Sequence, residues 1–229
     1  MPQPLTSIRK AKHFSFGPEA TTKRPKAAIR AAEAIARWGY VEAQYGRLLS
    51  LLLRSDYAVG MAMFQALTSA SAQRAALSAA INEALSPDDA ALLREIMKYG
   101  AGPGSLRNNL AHHLWGWSDD IPGGLLLIDP KHIHEASIRH RKLSDHMRQN
   151  PQDVRFFFEN FKPVDRSKMM VWRKRDFDSL VRSIASLSHL LSLFMLYLQT
   201  EEPVRGATRT ELLKQPQLAQ ALPLPSQTA

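Results

Sequence analysis

Proline fixes its own backbone angle and carries no N–H, so its placement decides where long helices can run. Eight of the 14 prolines lie in two terminal stretches: Pro2, Pro4, Pro18 and Pro25, then Pro203, Pro216, Pro223 and Pro225. Neither stretch has a sustained hydrophobic period. Residues 1–25 read as a basic disordered arm pinned by Phe14 and Phe16, and 200–229 as a flexible tail with a short helix near 211–214. Residues 26–199 are left free to form one helical domain.

Within 26–199 the apolar residues recur at three and four positions, the spacing of a helix with one buried face. Trp38, Val41, Tyr45, Leu48 and Leu52 predict a long first helix over about 26–55. Asp56 is placed to cap a second, about 57–69, and a third runs about 71–85. Ser86-Pro87-Asp88-Asp89 has the order of a helix start: a capping hydroxyl, proline in the first turn, then acids at the positive end of the dipole. That fourth helix is expected to end near Tyr99, because Gly100-Ala101-Gly102-Pro103-Gly104 reads as a break. Ser105 then caps a helix over about 105–116. Leu125–Asp129 and Met169–Trp172 are strand candidates that pair as a hairpin around a polar basic insert at about 130–165. A final helix starts at Asp176 or Asp178 and carries Leu180, Ile184, Leu187, Leu191, Phe194 and Leu198. The expected class is all-α, a bundle of five to six helices with a minor β-hairpin and flexible termini.

Charge narrows the partners. The 229 residues hold 30 Lys+Arg against 21 Asp+Glu, a formal net charge of +9. Residues 1–30 carry seven basic residues and one acidic, and 121–200 carry thirteen and eight. The helical middle is neutral to acidic. Such flanking charge attracts polyanions, RNA among them. There is no cysteine, which excludes disulfides, thiolate metal sites and a cysteine nucleophile. The longest apolar stretch, 187–198, contains Ser188, His189 and Ser192 and is shorter than the ~20 residues that span a bilayer. No secretory h-region precedes it. The expectation is a cytoplasmic protein without a membrane partner.

The segment richest in chemistry is Arg107-Asn108-Asn109-Leu110-Ala111-His112-His113-Leu114-Trp115-Gly116-Trp117. On a helix, Leu110, Ala111 and Leu114 form an apolar face, and Asn108, His112 and Trp115, at i, i+4 and i+7, share a second. Arg107 reaches the same spot. Guanidinium, carboxamide and imidazole together suit a phosphodiester: Arg grips phosphate oxygens, Asn orients, and His moves protons near neutral pH.

Arg107-Asn108-x-x-Ala111-His112 resembles the signature of the HEPN superfamily, an Arg followed four to six residues later by His. Trp38-x-x-Val41-Glu42 in the first helix, Ser71-Ala72-Gln73-Arg74 in a later one, and His112-x-x-Trp115-Gly116 extend the likeness to uncharacterised bacterial and phage HEPN-like proteins over about 28–118. Where the family most often has glycine after the histidine, this chain has His113. The resemblance implies a helical bundle that forms a homodimer with the motif at its interface. It also implies a metal-independent endoribonuclease that needs no cofactor, in a toxin–antitoxin or phage-defence setting with an antitoxin partner. Arg107 and His112 would be catalytic, and Asn108, His113 and Trp115 would contact RNA. The alternatives are a non-catalytic HEPN-like interaction module and a basic nucleic-acid-binding helical protein.

Other signals are weaker. Glu42 is either an orienting partner for Arg107 or a surface residue. His132 and His134 share a face only if their segment is a strand, the condition for a metal pair. The glycine cluster at 100–104 is no P-loop, since no Gly-Lys-Ser/Thr follows, but a helix starting after it would present N–H groups to phosphate near Arg107. Arg139-His140-Arg141-Lys142 and Arg173-Lys174-Arg175 are basic clusters suited to guiding RNA, or simply solvated faces.

Overall fold

The structure, a computed structural model, describes residues 1–8 and 11–219. The chain is mostly helical with one small antiparallel sheet. The helices are α1 (Ala20–Lys23), α2 (Pro25–Leu52), α3 (Tyr57–Ala66), α4 (Ala70–Ala84), α5 (Pro87–His112), α6 (Pro130–Gln149), α7 (Val154–Asn160), α8 (Lys174–Gln199), α9 (Val204–Leu213) and α10 (Pro216–Ala219). The strands are β1 (Gln3–Pro4), β2 (Ser15–Phe16), β3 (Leu114–Trp117), β4 (Leu125–Ile128) and β5 (Met169–Trp172). The helix count exceeds the expected five to six. The surplus lies in 1–25 and 130–165, read without helices, and in 200–229, where only a short helix near 211–214 is expected and α9 covers most of it; outside these stretches there are five.

Tertiary contacts divide the chain into two compact units, one of Met1–Glu33 with Arg107–Ser179, the other of Ala34–Leu106 with the residues from Leu180 onward. In the second unit, local chemistry sets the helix starts. The Asp56 carboxylate accepts the Ala58 N–H (2.8 Å), Ser69 Oγ that of Ala72 (3.1 Å) and Ser86 Oγ that of Asp89 (3.2 Å). Each satisfies an N–H left without an intrahelical partner. Trp38, Val41, Leu48 and Leu52 of α2 are buried, as their spacing predicts, and so are Leu180, Ile184, Leu187, Leu191 and Phe194 of α8. Among the described residues α8 is the one helix long and apolar enough, by length and composition, to cross a membrane.

The expected break at Gly100–Gly104 is absent. α5 runs through it, with Pro103 inside. The glycines are contact points instead: a Cβ on Gly100 would lie 2.9 Å from Leu187 Cδ2 and from the Tyr45 hydroxyl, and one on Gly104 2.8 Å from the Trp38 ring. Close packing of neighbouring side chains on bare backbone overrides the poor propensity of the sequence. Ser105 therefore lies inside a helix, not at its cap, and the helix start expected beside Arg107 is not formed there.

In the first unit the sheet order is β1-β5-β4-β3-β2, every pair antiparallel. The expected hairpin is its centre: Leu126 pairs with Val171 and Ile128 with Met169. All four β4 residues are buried, which is why its sequence is an unbroken apolar run. One sheet face carries Leu126, Ile128, Met169 and Val171, which cluster with Leu5, Ala11 and Ile121; Phe14 and Phe16 pack against them. The described residues of 1–25 are thus ordered, where a disordered arm is expected. β1 and β2 form the two sheet edges, and the Asp120 carboxylate holds the intervening segment by the Lys12 N–H (2.7 Å) and His13 N–H (3.2 Å). Strands of two residues carry no periodic signal, so the sequence conceals them. The insert is likewise helical, and Asp129-Pro130 starts α6 as Ser86-Pro87 starts α5, with the Asp129 carboxylate accepting the Lys131 N–H (2.9 Å). In the tail, α9 and α10 are ordered helices; 220–229 lie outside the described residues.

Candidate functional site

The motif occupies the last turns of α5 and its junction with β3. Asn108 and His112, one turn apart, are exposed, and Arg107 is half-buried. Arg107 Nη1 donates to Asn108 Oδ1 (3.0 Å). Arg107 and His112 are five positions apart, about 140° around a helix, too far for one face. The Arg107–Asn108 bond draws the guanidinium toward the face that Asn108 shares with His112. Of the expected apolar face only Leu110 is buried; Ala111 is exposed and Leu114 is 40% exposed.

Trp115 does not share the helical face of Asn108 and His112. The helix ends at His112, and Trp115 belongs to β3, opposite Leu127. Its indole N–H donates to the Leu110 carbonyl (2.9 Å), one of the acceptors that the helix end leaves without an intrahelical N–H. Trp115 is half-buried and closes the helix. Gly116 permits the neighbouring strand: a Cβ there would collide with the Ser15 carbonyl oxygen and the Phe16 ring.

His113 is the hinge residue. Its N–H still donates to Asn109 O (3.0 Å), and the next residue, Leu114, already pairs with Ile128. One step beyond that pair, His113 comes level with Asp129. Burial lowers the His113 pKa; the Asp129 carboxylate works against this, and His112, His132 and Lys131 add to the lowering. The junction therefore gathers a half-buried imidazole of lowered pKa, an exposed one and a carboxylate whose pKa the Lys131 N–H lowers. Asp129 and this part of His132 are what the sequence reading missed. The Asp-Pro helix start was the available signal, together with the His-to-Leu switch from helix to strand.

The conditional metal pair fails on geometry. His132 and His134 lie on α6, where residues two apart point to opposite sides. His132 Nδ1 instead faces Glu135 Oε2 (3.5 Å). Among the described residues no group of three or more His, Asp or Glu is arranged to hold a metal ion. Glu42 is half-buried and accepts the Trp38 indole N–H (2.9 Å).

Comparison with protein-family models, with curated proteins and with solved structures finds no match for this chain.

Proposed function

We propose that the chain is a metal-independent endoribonuclease of the HEPN type. The observation that carries this reading is the cluster at the end of α5, with Asn108 and His112 exposed one turn apart and Arg107 bonded to Asn108 at 3.0 Å. These groups suit one reaction class. A ribose 2′-hydroxyl attacks the adjacent phosphorus and loses its proton, the bond to the 5′-oxygen breaks, and that oxygen gains a proton. His112 takes or returns the proton. Arg107 stabilises the charge that builds on the phosphoryl oxygens, and Asn108 holds Arg107 toward them. The products are a 2′,3′-cyclic phosphate and a 5′-hydroxyl. A two-fold homodimer would bring two such clusters together, and a proton donor from the second copy would complement the first. A toxin–antitoxin or phage-defence role follows from the same resemblance.

Purified wild-type and His112→Ala protein incubated with mixed RNA in EDTA test this. Cleavage by the wild type, its loss in the variant and a DNA strand left intact are the expected results. Cleavage that persists in both His112→Ala and Arg107→Ala overturns the reading. Intact RNA with wild-type protein leaves a non-catalytic module in its place.

A further inference from the structure

The α6–α7 hairpin does not contribute to the chemistry above, yet it holds the most unusual surface of its unit. No side chain of α7 is buried, and α6 buries only Ala136 and Leu143. Phe158 is 75% exposed and Phe161 46%. Burying apolar rings is favourable, so exposed phenylalanines on a short helix need a compensating use. The rings are also ordered. His140 stacks on Phe161 (centroids 5.4 Å apart, planes 9° apart), and Phe161 on Phe157 (5.4 Å, 16°). Three near-parallel rings form a ladder, and Phe158 stands edge-on to Phe157 at its side.

The hairpin is basic. Residues 130–162 hold seven basic and four acidic residues. Every one of those acids already faces a basic side chain: Glu135 His132, Asp145 Arg148, Asp153 His146 and Glu159 Arg155. Arg139, Arg141, Lys142 and Lys162 are exposed and have no carboxylate partner among the described residues. Exposed rings and uncompensated cations on one hairpin are the two components by which proteins hold single-stranded nucleic acid: bases meet the rings and phosphates the charges. A lipid surface suits the site less well, because rings stacked on one another and four carboxylates on the same hairpin reduce what can enter a headgroup layer.

We propose that the α6–α7 hairpin is a platform for single-stranded RNA, where a base stacks on Phe158, its neighbour packs on the exposed edge of Phe161, whose faces His140 and Phe157 already cover, and phosphates pair with Arg139, Arg141, Lys142 and Lys162. That the strand is RNA rests on the reading of the Arg107–His112 cluster; the platform itself does not require cleavage.

The test is fluorescence anisotropy with a labelled 2′-O-methyl oligouridine of about 12 nucleotides, within the span of single-strand sites. This probe cannot be cut, so binding is read apart from cleavage. Phe158→Ala with Phe161→Ala is expected to weaken binding roughly tenfold or more. Phe158→Trp with Phe161→Trp keeps the rings and is expected to restore it. Replacing Arg139, Arg141 and Lys142 by Gln is expected to flatten the dependence of log Kd on log salt by about 2. Wild-type affinity in the Ala pair, with circular dichroism showing the native helix content, overturns the proposal. Loss of binding to anionic phospholipid vesicles, with oligouridine binding unchanged, overturns it in favour of a membrane surface. Cleavage that vanishes in His112→Ala while oligouridine still binds leaves the platform standing; bound oligouridine with no cleavage by wild type removes only the nuclease reading.

Discussion

The indole N–H of Trp115 donates to the carbonyl of Leu110 at 2.9 Å, so a residue of β3 also satisfies the end of the preceding helix. Trp115→Phe keeps the ring and removes the donor. Leaving that carbonyl short of a partner costs about 1 kcal/mol, and the urea midpoint is expected to fall with an unchanged m-value. RNA binding is expected to change little, because the ring closes a helix end and is half-buried.

Arg107 offers a planar fork, part of which is engaged by Asn108. Arg107→Lys keeps the charge and loses the fork. RNA cleavage is expected to drop at least tenfold. Equal rates for Lys and Arg would reduce the role of Arg107 to a point charge.

His113 has its pKa lowered, first by burial. A base with a depressed folded pKa binds its proton less readily in the native state. Its contribution to stability is present above the unfolded value near 6.5 and is lost as pH falls below it. The wild type is therefore expected to lose stability on acidification more steeply than His113→Gln. Asp129→Asn removes the group that opposes the shift, and should lower the His113 pKa further in an NMR titration.

Tyr45 responds at the other extreme. Burial pushes its phenol up to about 12, with Arg74 pulling the other way. The folded state holds this proton more tightly than the unfolded state does. The associated stability is intact below pH 10 and is lost as pH rises toward 12. Wild type minus Tyr45→Phe isolates the effect, expected to be on the order of 2 kcal/mol across that window. A difference independent of pH would contradict it.

Two glycines are expected to respond in opposite directions. Gly39 has open space around its missing Cβ, whereas Gly104 would place one 2.8 Å from the Trp38 ring. Gly39→Ala is expected to stabilise by about 0.5–1 kcal/mol through helix propensity. Gly104→Ala is expected to destabilise by about 1–3 kcal/mol through overpacking. Denaturant melts of both read the contrast directly.

These sites also show what was legible in the chain. Asp56 and Ser86 could be placed as caps because capping is settled within three residues. Leu125–Ile128 could be read as a strand from its unbroken apolar run. Gly100–Gly104 was misread because local propensity says break, while Tyr45, Leu187 and Trp38, distant in sequence, supply the packing that holds the helix. Trp115 was misplaced for a related reason: the end of α5 is set by pairing with Leu127 and by contact of Gly116 with Ser15 and Phe16, none of which is local. Within the site, Asn108 and His112 fall one turn apart as the helical period predicts, and Arg107 is tied to them through Asn108. The company of His113 was hidden, since it depends on strand register.

The sheet draws both edges from one end of the chain: β1 lies beside β5, and β2 beside β3. During synthesis β1 therefore emerges before all four helices α2 to α5 and long before Met169–Trp172, its partner. Its pairing closes a loop of most of the chain, the slowest kind of contact to form. Until then Leu5 and Phe16 have no core to enter, and the apolar strands β4 and β5 have open sides. The newborn protein thus has an interval in which its helices can be complete while its sheet is still adhesive, and a chaperone would have its clearest substrate there.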